Sequence, residues 1–274
     1  MRWREIWISI FLFFSIVAEA DVKKDSLFDW SASATLTSNY IWRGLYVGGP
    51  SLQMDATVSY AGVFANMWWN VGATDWAFSG FNPEVDLAIG YSRWGVTVLY
   101  MHMFYFDKYS DGTPSRFFDF RNHIKGGTTG EWRISYRVSD RIPLSCLVAM
   151  RTFGRDGYEV NGEIKRAYST YIELGYDFDL GENWSLAARV GMTPAKSLYT
   201  GYRGDFAVSL VGLKLNKNWV LGDEMKDAKR VGRLNAFAHV MLQPWQVNKK
   251  NLILPITEVG AQKLNLAVGC SYEI

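Results

Sequence analysis

Acidic and basic residues recur at every second position in runs that otherwise alternate polar with apolar. Glu84 and Asp86 stand two apart, as do Glu131 and Arg133. Asp55, Arg137, Glu173, Arg189 and Glu273 hold the polar phase of other runs, together with Arg151, Asp177, Lys214, His239 and Lys263. Residues two apart share one face of a strand, so these side chains would line a common polar surface. Mixed acids and bases on such a surface can do one of two things. They can pair and brace the wall, or they can leave a path for polar solutes with weak charge preference. Hydrolysis is not indicated. Of the three histidines, His123 falls in a link, His239 shares the polar phase, and His102 lies in a run of ambiguous phase. No Gly-x-Ser-x-Gly occurs, and neither His-x-x-x-His nor Cys-x-x-Cys offers a metal site. The expectation is a chain without catalytic residues, cofactor or metal.

The alternation sets out the elements that hold these residues. Leu52, Met54, Ala56, Val58 and Tyr60 alternate with Gln53, Asp55, Thr57 and Ser59. Leu264, Leu266, Val268, Cys270 and Tyr272 alternate with Lys263, Asn265, Gly269, Ser271 and Glu273. Strands are expected near 29–43, 50–60, 63–71, 83–93, 95–106, 128–138, 142–153, 166–179, 183–193, 205–216, 232–243 and 262–274. Tight turns such as Ala61-Gly62 and Trp94-Gly95 take turns with long polar links at 44–49, 72–82, 107–127, 154–165, 194–204 and 244–261. Residues 217–231 break this rhythm; 223–230 is a candidate short helix. Short turns on one rim and long loops on the other are the layout of an outer-membrane barrel, whereas a soluble sandwich has no reason to sort its loops. The expected fold is all-β, a transmembrane antiparallel β-barrel of about 12 strands filling residues 21–274.

Composition agrees. Aromatic residues make up 16 % of the chain, which suits a barrel with interfacial girdles. Trp30, Tyr40, Trp42, Tyr60, Tyr91, Trp94, Trp132, Tyr136, Tyr176, Trp184 and Tyr272 lie near strand ends on the apolar phase and read as that girdle. A sugar-stacking platform would need aromatics on the polar phase, and Phe64 and Trp68 are the candidates. A net charge of +2 gives no reason to expect nucleic acid. Cys146 and Cys270 fall on the seventh and twelfth strands, about five strand spacings apart, too far for a disulfide. A lumen-facing charge is nearly forced, because one facing lipid near midplane costs about 2–4 kcal/mol.

Thr35-Leu36-Thr37-Ser38-Asn39-Tyr40-Ile41-Trp42-Arg43-Gly44 is similar to a motif of a conserved, uncharacterised family of Gram-negative outer-membrane β-barrels. In that family the first strand ends in Ser-(Asp/Asn)-Tyr-x-(Phe/Trp)-Arg-Gly. A second strand follows, then a tight glycine turn and an aromatic-rich third strand, here Leu52–Tyr60 and Gly62–Trp68. The resemblance covers about the first third of the mature chain. It implies residence in the cell outer membrane and porin-like passage of a small polar solute. The alternatives are a closed structural barrel whose outer loops bind a partner and a lipid-modifying enzyme. Expected partners are outer-membrane lipid, lipopolysaccharide and the barrel-assembly machinery. Arg43 reads as a guide for an anionic solute at the lumen mouth. More simply, it is a strand-end arginine that snorkels to headgroups or pairs with a nearby acid.

Arg2 and Arg4, the apolar run Ile6–Val17, and Ala18-Glu19-Ala20 form a secretory signal over 1–20. N-terminal sequencing of the membrane-inserted protein should therefore begin at Asp21. A membrane-inserted chain that still began at Met1 would exclude cleavage.

Overall fold

In the computed structural model the described residues are 27–72, 83–106, 114–119, 126–202, 204, 206–221, 232–244 and 263–274. The signal segment, the candidate helix 223–230 and most of the link 107–127 lie outside them. Twelve antiparallel strands close into a barrel. They are β1 (Phe28–Thr37), β4 (Ser51–Tyr60), β5 (Val63–Gly72), β6 (Glu84–Arg93), β7 (Val96–Tyr105), β8 (Thr128–Arg137), β9 (Leu144–Gly154), β12 (Thr170–Gly181), β13 (Trp184–Thr193), β14 (Ala207–Leu221), β15 (Gly232–Leu242) and β16 (Leu264–Glu273). Two short hairpins stand apart from the wall: β2 (Tyr40–Trp42) with β3 (Leu45–Gly48), and β10 (Gly157–Val160) with β11 (Glu163–Arg166). A single turn of 3-10 helix covers Leu198–Thr200.

Closure comes from β1 pairing with β16, where Ser33 faces Glu273 and Thr37 faces Gly269. No described wall strand is left as an open edge. At the short-turn rim, Ala61 and Gly62 both take positive φ (50° and 89°), as do Trp94 and Gly95 (53° and 76°). Two consecutive left-handed residues make the two-residue turn whose twist matches the strands it joins. The phase of each wall strand is as expected. Leu87, Ile89, Leu174, Leu213, Leu266 and Val268 are exposed on the outside, with Trp30, Tyr60, Tyr91, Trp132, Trp184 and Tyr272. Cys146 and Cys270 are free thiols in strands five spacings apart.

Three expectations need correction. The first strand does not run to residue 43. It leaves the wall after Thr37, and Tyr40 and Trp42 turn inward instead of joining the girdle. The link 217–231 begins as strand, since β14 continues to Leu221 and pairs there with Gly232. The expected link 154–165 instead carries the hairpin β10–β11 over 157–166, and the wall strand expected from 166 begins at Thr170.

With the outward phase set in a bilayer, Leu87→Arg and Leu266→Arg are each expected to destabilise the barrel by about 2–4 kcal/mol where these sites lie near midplane. Ser59→Arg and Ser185→Arg, on the inward phase, should be mild. Urea unfolding in lipid vesicles measures both pairs, and equal losses would contradict the assignment of faces.

Candidate functional site: the lumen and its crossing hairpin

The lumen divides into two halves, and the upper one is filled. After Thr37 the chain is pinned to β16. Ser38 N–H donates to the Val268 carbonyl (2.8 Å), Val268 N–H donates to Ser38 Oγ (3.0 Å), and Asn39 Nδ2 donates to the Leu266 carbonyl (2.6 Å). That last bond needs an amide at position 39, because an ionised aspartate accepts only. The chain then crosses the barrel as β2–β3, with Trp42 opposite Leu45. Arg43 and Gly44 make its turn, with φ of 51° and 83°. A Cβ at Gly44 would stand 2.7 Å from the Ser209 carbonyl on β14, so glycine is required there by contact as well as by conformation. Leu45 reaches the far wall and is buried with Ala149 of β9, Tyr171 of β12, Leu198, Tyr199 and Tyr202.

Arg43 is the anchor of this hairpin. Its Nη1 and Nη2 donate to Oε2 and Oε1 of Glu131, both at 2.8 Å, a two-pronged pairing. Nη1 also donates to the Tyr199 hydroxyl (2.6 Å). The guanidinium carbon lies 4.6 Å from the Trp42 ring centre and 4.7 Å from that of Tyr171. Burial pushes the Tyr199 phenol above its usual range, so it stays neutral and can accept from the guanidinium. Glu131 is fully buried and takes a further bond from Arg133 Nε (2.6 Å). Arg43 therefore neither snorkels nor lines a mouth; it pairs with an acid 88 residues along the chain. The side of the hairpin nearer its base is fixed by Tyr40, whose hydroxyl donates to Glu84 Oε2 (3.0 Å) and whose ring meets Trp68 at 5.5 Å.

The half toward the short turns is more open. Arg189 binds Asp177 at 2.5 Å, Arg137 binds the same carboxylate at 3.0 Å, and Arg189 approaches Glu173 at 3.8 Å. Asp55 is held by Asn66 Nδ2 at 3.0 Å. Lys214 and His239 face one another across β14 and β15. A cavity of about 600 Å³ remains beneath the hairpin, lined by Tyr40, Trp42, Asp55, Trp68, Asp86 and Arg133 among others.

The structure thus brings Arg43, Glu84, Asp86 and Arg133 around one buried cluster, and Arg137, Glu173 and Arg189 around Asp177. Asp55 sits on the cavity wall. Glu273 lies apart, exposed at the short-turn rim beside Arg233. Sequence reasoning missed Tyr171, which shares the phase of Glu173 and was legible by parity. It also missed Tyr199, which sits in a link where no period exists to reveal it. His102 is on the outward phase, opposite Leu87, and its Nε2 lies 3.0 Å from the Phe117 carbonyl. That described part of 107–127 therefore packs against the outside of β7 rather than inside the pore. The hairpin's anchoring should be asymmetric. Glu131→Ala leaves the buried Arg43 and the half-buried Arg133 without their shared carboxylate and should cost about 3–5 kcal/mol. Arg43→Ala leaves the Glu131–Arg133 pair and should cost less. Urea unfolding of both variants would show the order, and the reverse order would contradict it.

No family model matches the chain, and no curated protein matches it. Solved structures similar to it include the following two. One is a NanC porin, 11 % identical, with TM-score 0.46, covering 90 % of this chain and 100 % of that one. The other is a Pseudomonas aeruginosa FadL homologue, 9 % identical, with TM-score 0.32, covering 90 % of this chain and 74 % of that one. At such distances the lumen has to be read from its own side chains.

Proposed function

We propose that the chain is a β-barrel of the Gram-negative outer membrane that passes small polar solutes through a lumen narrowed by the hairpin Tyr40–Gly48. The observation that carries this reading is the inversion of polarity across a closed wall. Apolar side chains occupy the outward phase, while acids and bases in near balance occupy the inward one. A solute path needs such a lining, and a crossing segment sets its width. Lipid and lipopolysaccharide then meet the outward face, and the barrel-assembly machinery inserts the chain. The motif that resembles the uncharacterised outer-membrane family is the same stretch that forms the crossing hairpin. No catalysis, cofactor or nucleic acid enters this reading.

A second reading, a closed barrel whose outer loops contact a partner, is favoured by one observation. The hairpin spans the lumen and is fastened at its tip by Arg43 and Glu131. Single-channel recording separates the two. The wild type should give a small conductance, and replacing residues 39–48 by a short Gly-Ser link should raise it several-fold. Arg133→Ala with Arg137→Ala should shift it toward cations. Absence of current in all three proteins, with normal insertion, would end the passage reading and leave the closed barrel.

A further inference from the structure

One row of the inner wall is built unlike the rest. Trp68 on β5 stands directly opposite Asp55 on β4 and directly opposite Asp86 on β6, and all three face the cavity beneath the hairpin. An indole is thus flanked on both sides by carboxylates. Two strand spacings separate the acids, about 10 Å between backbones, which leaves room for one six-membered ring with a hydrogen bond at each edge. Nearer the short-turn rim, Phe64 extends the aromatic surface. It lies over Gly90, where the missing side chain makes room for its ring. The platform is fixed before anything binds, since Trp68 contacts the Tyr40 ring and Tyr40 is bonded to Glu84.

Asp86 is the residue that points to a ligand. It is 7 % exposed, and its Oδ1 has no hydrogen-bond partner among the described residues. A buried acceptor left without a donor is costly, and a hydroxyl-bearing solute in the cavity supplies that donor. Asp55, already held by Asn66, supplies a second acceptor, and Arg133 lines the same cavity with donors.

The charges around the cavity decide the ligand's own charge. Asp55, Asp86 and Arg133 line the cavity, with Glu84, Glu131, Arg43 and Arg151 close behind, so four acids are interleaved with three arginines and a cation or an anion each meets like charge beside opposite charge. What remains is a neutral molecule with a flat apolar face and donors and acceptors around its rim. We infer that the cavity beneath the hairpin is a binding site for a neutral saccharide. One sugar ring stacks on Trp68 while its hydroxyls reach Asp55 on one side and Asp86 on the other. This deepens the passage reading, since it names the class of solute held at the narrowing.

Saturation-transfer NMR on the detergent-solubilised protein tests the site, with D-glucose and maltose as probes and choline and gluconate as charged contrasts. The neutral sugars should bind and the charged probes should not. Asp86→Asn and Trp68→Leu should weaken sugar binding by about tenfold, the weight of one lost hydrogen bond or stacking partner. Trp68→Tyr, which keeps a ring, should retain it, and Ser185→Ala on the far wall should leave it unchanged. Resistance of the folded barrel to dodecyl sulfate checks that each variant is intact. Preference for choline or gluconate, no sugar binding, or binding indifferent to Asp86 and Trp68 would overturn the inference. Conductance recorded in parallel keeps the two readings separable. A conducting barrel that ignores sugars overturns the saccharide site alone, whereas sugar binding without conductance supports the site and ends the passage reading.

Discussion

A closed sheet that turns its apolar side chains outward must put its charge inside itself. The wall of this molecule follows from that constraint. Backbone groups are satisfied around the ring because β1 meets β16, so the described wall strands leave no edge to solvate. Side chains then sort by phase, and the inward phase collects the acids and bases that lipid would reject. The interior of a soluble protein is apolar because its surroundings are water; here the arrangement is turned inside out, and what needs explaining is how the polar interior is kept from collapsing or flooding.

Glu131 answers much of that question. A carboxylate without solvent contact is tolerable only when cations and donors surround it, and Arg43 and Arg133 do so. Arg43 in turn is buried only because it rides on a hairpin that carries its own apolar support, Trp42 and Leu45, into the cluster with Tyr171 and Tyr199. The hairpin therefore carries both halves of the bargain: a charge that Glu131 needs and an aromatic packing surface that the far wall needs. A second set of groups, Asp156 with Ser169 and Tyr202, ties the neighbouring loops to one another by the same logic of buried acceptors meeting donors.

The wall was legible in the sequence because a strand has a period of two, and here apolar and polar side chains keep to opposite phases of it. Leu87, Asp86 and Glu84 reveal their faces without any knowledge of neighbours. The number and order of wall strands follow from the same rule. The hairpin was not legible. Tyr40 and Trp42 keep the alternating phase of the strand before them, so local pattern continues straight through the point where the chain leaves the wall. Only long-range contacts mark the departure, and those contacts are invisible to a period. The extension of β14 to Leu221 was hidden for the opposite reason, since polar Lys217 and Asn218 read as a link although they remain paired. The inward placement of Phe64 and Trp68 could be read from phase alone. That Asp55 and Asp86 flank the same indole required the register between three strands.

The hairpin's attachments also set an order of events. Arg43 waits for Glu131, 88 residues on, and for Tyr199, 156 residues on, while the Gly44 carbonyl receives its bond from Asn265, 221 residues on. Contacts so distant along the chain are the slow ones to form. The hairpin follows directly on the first wall strand, yet its last fastening is supplied by the final one. The bond that closes the hairpin and the pairing that closes the ring both wait for that strand.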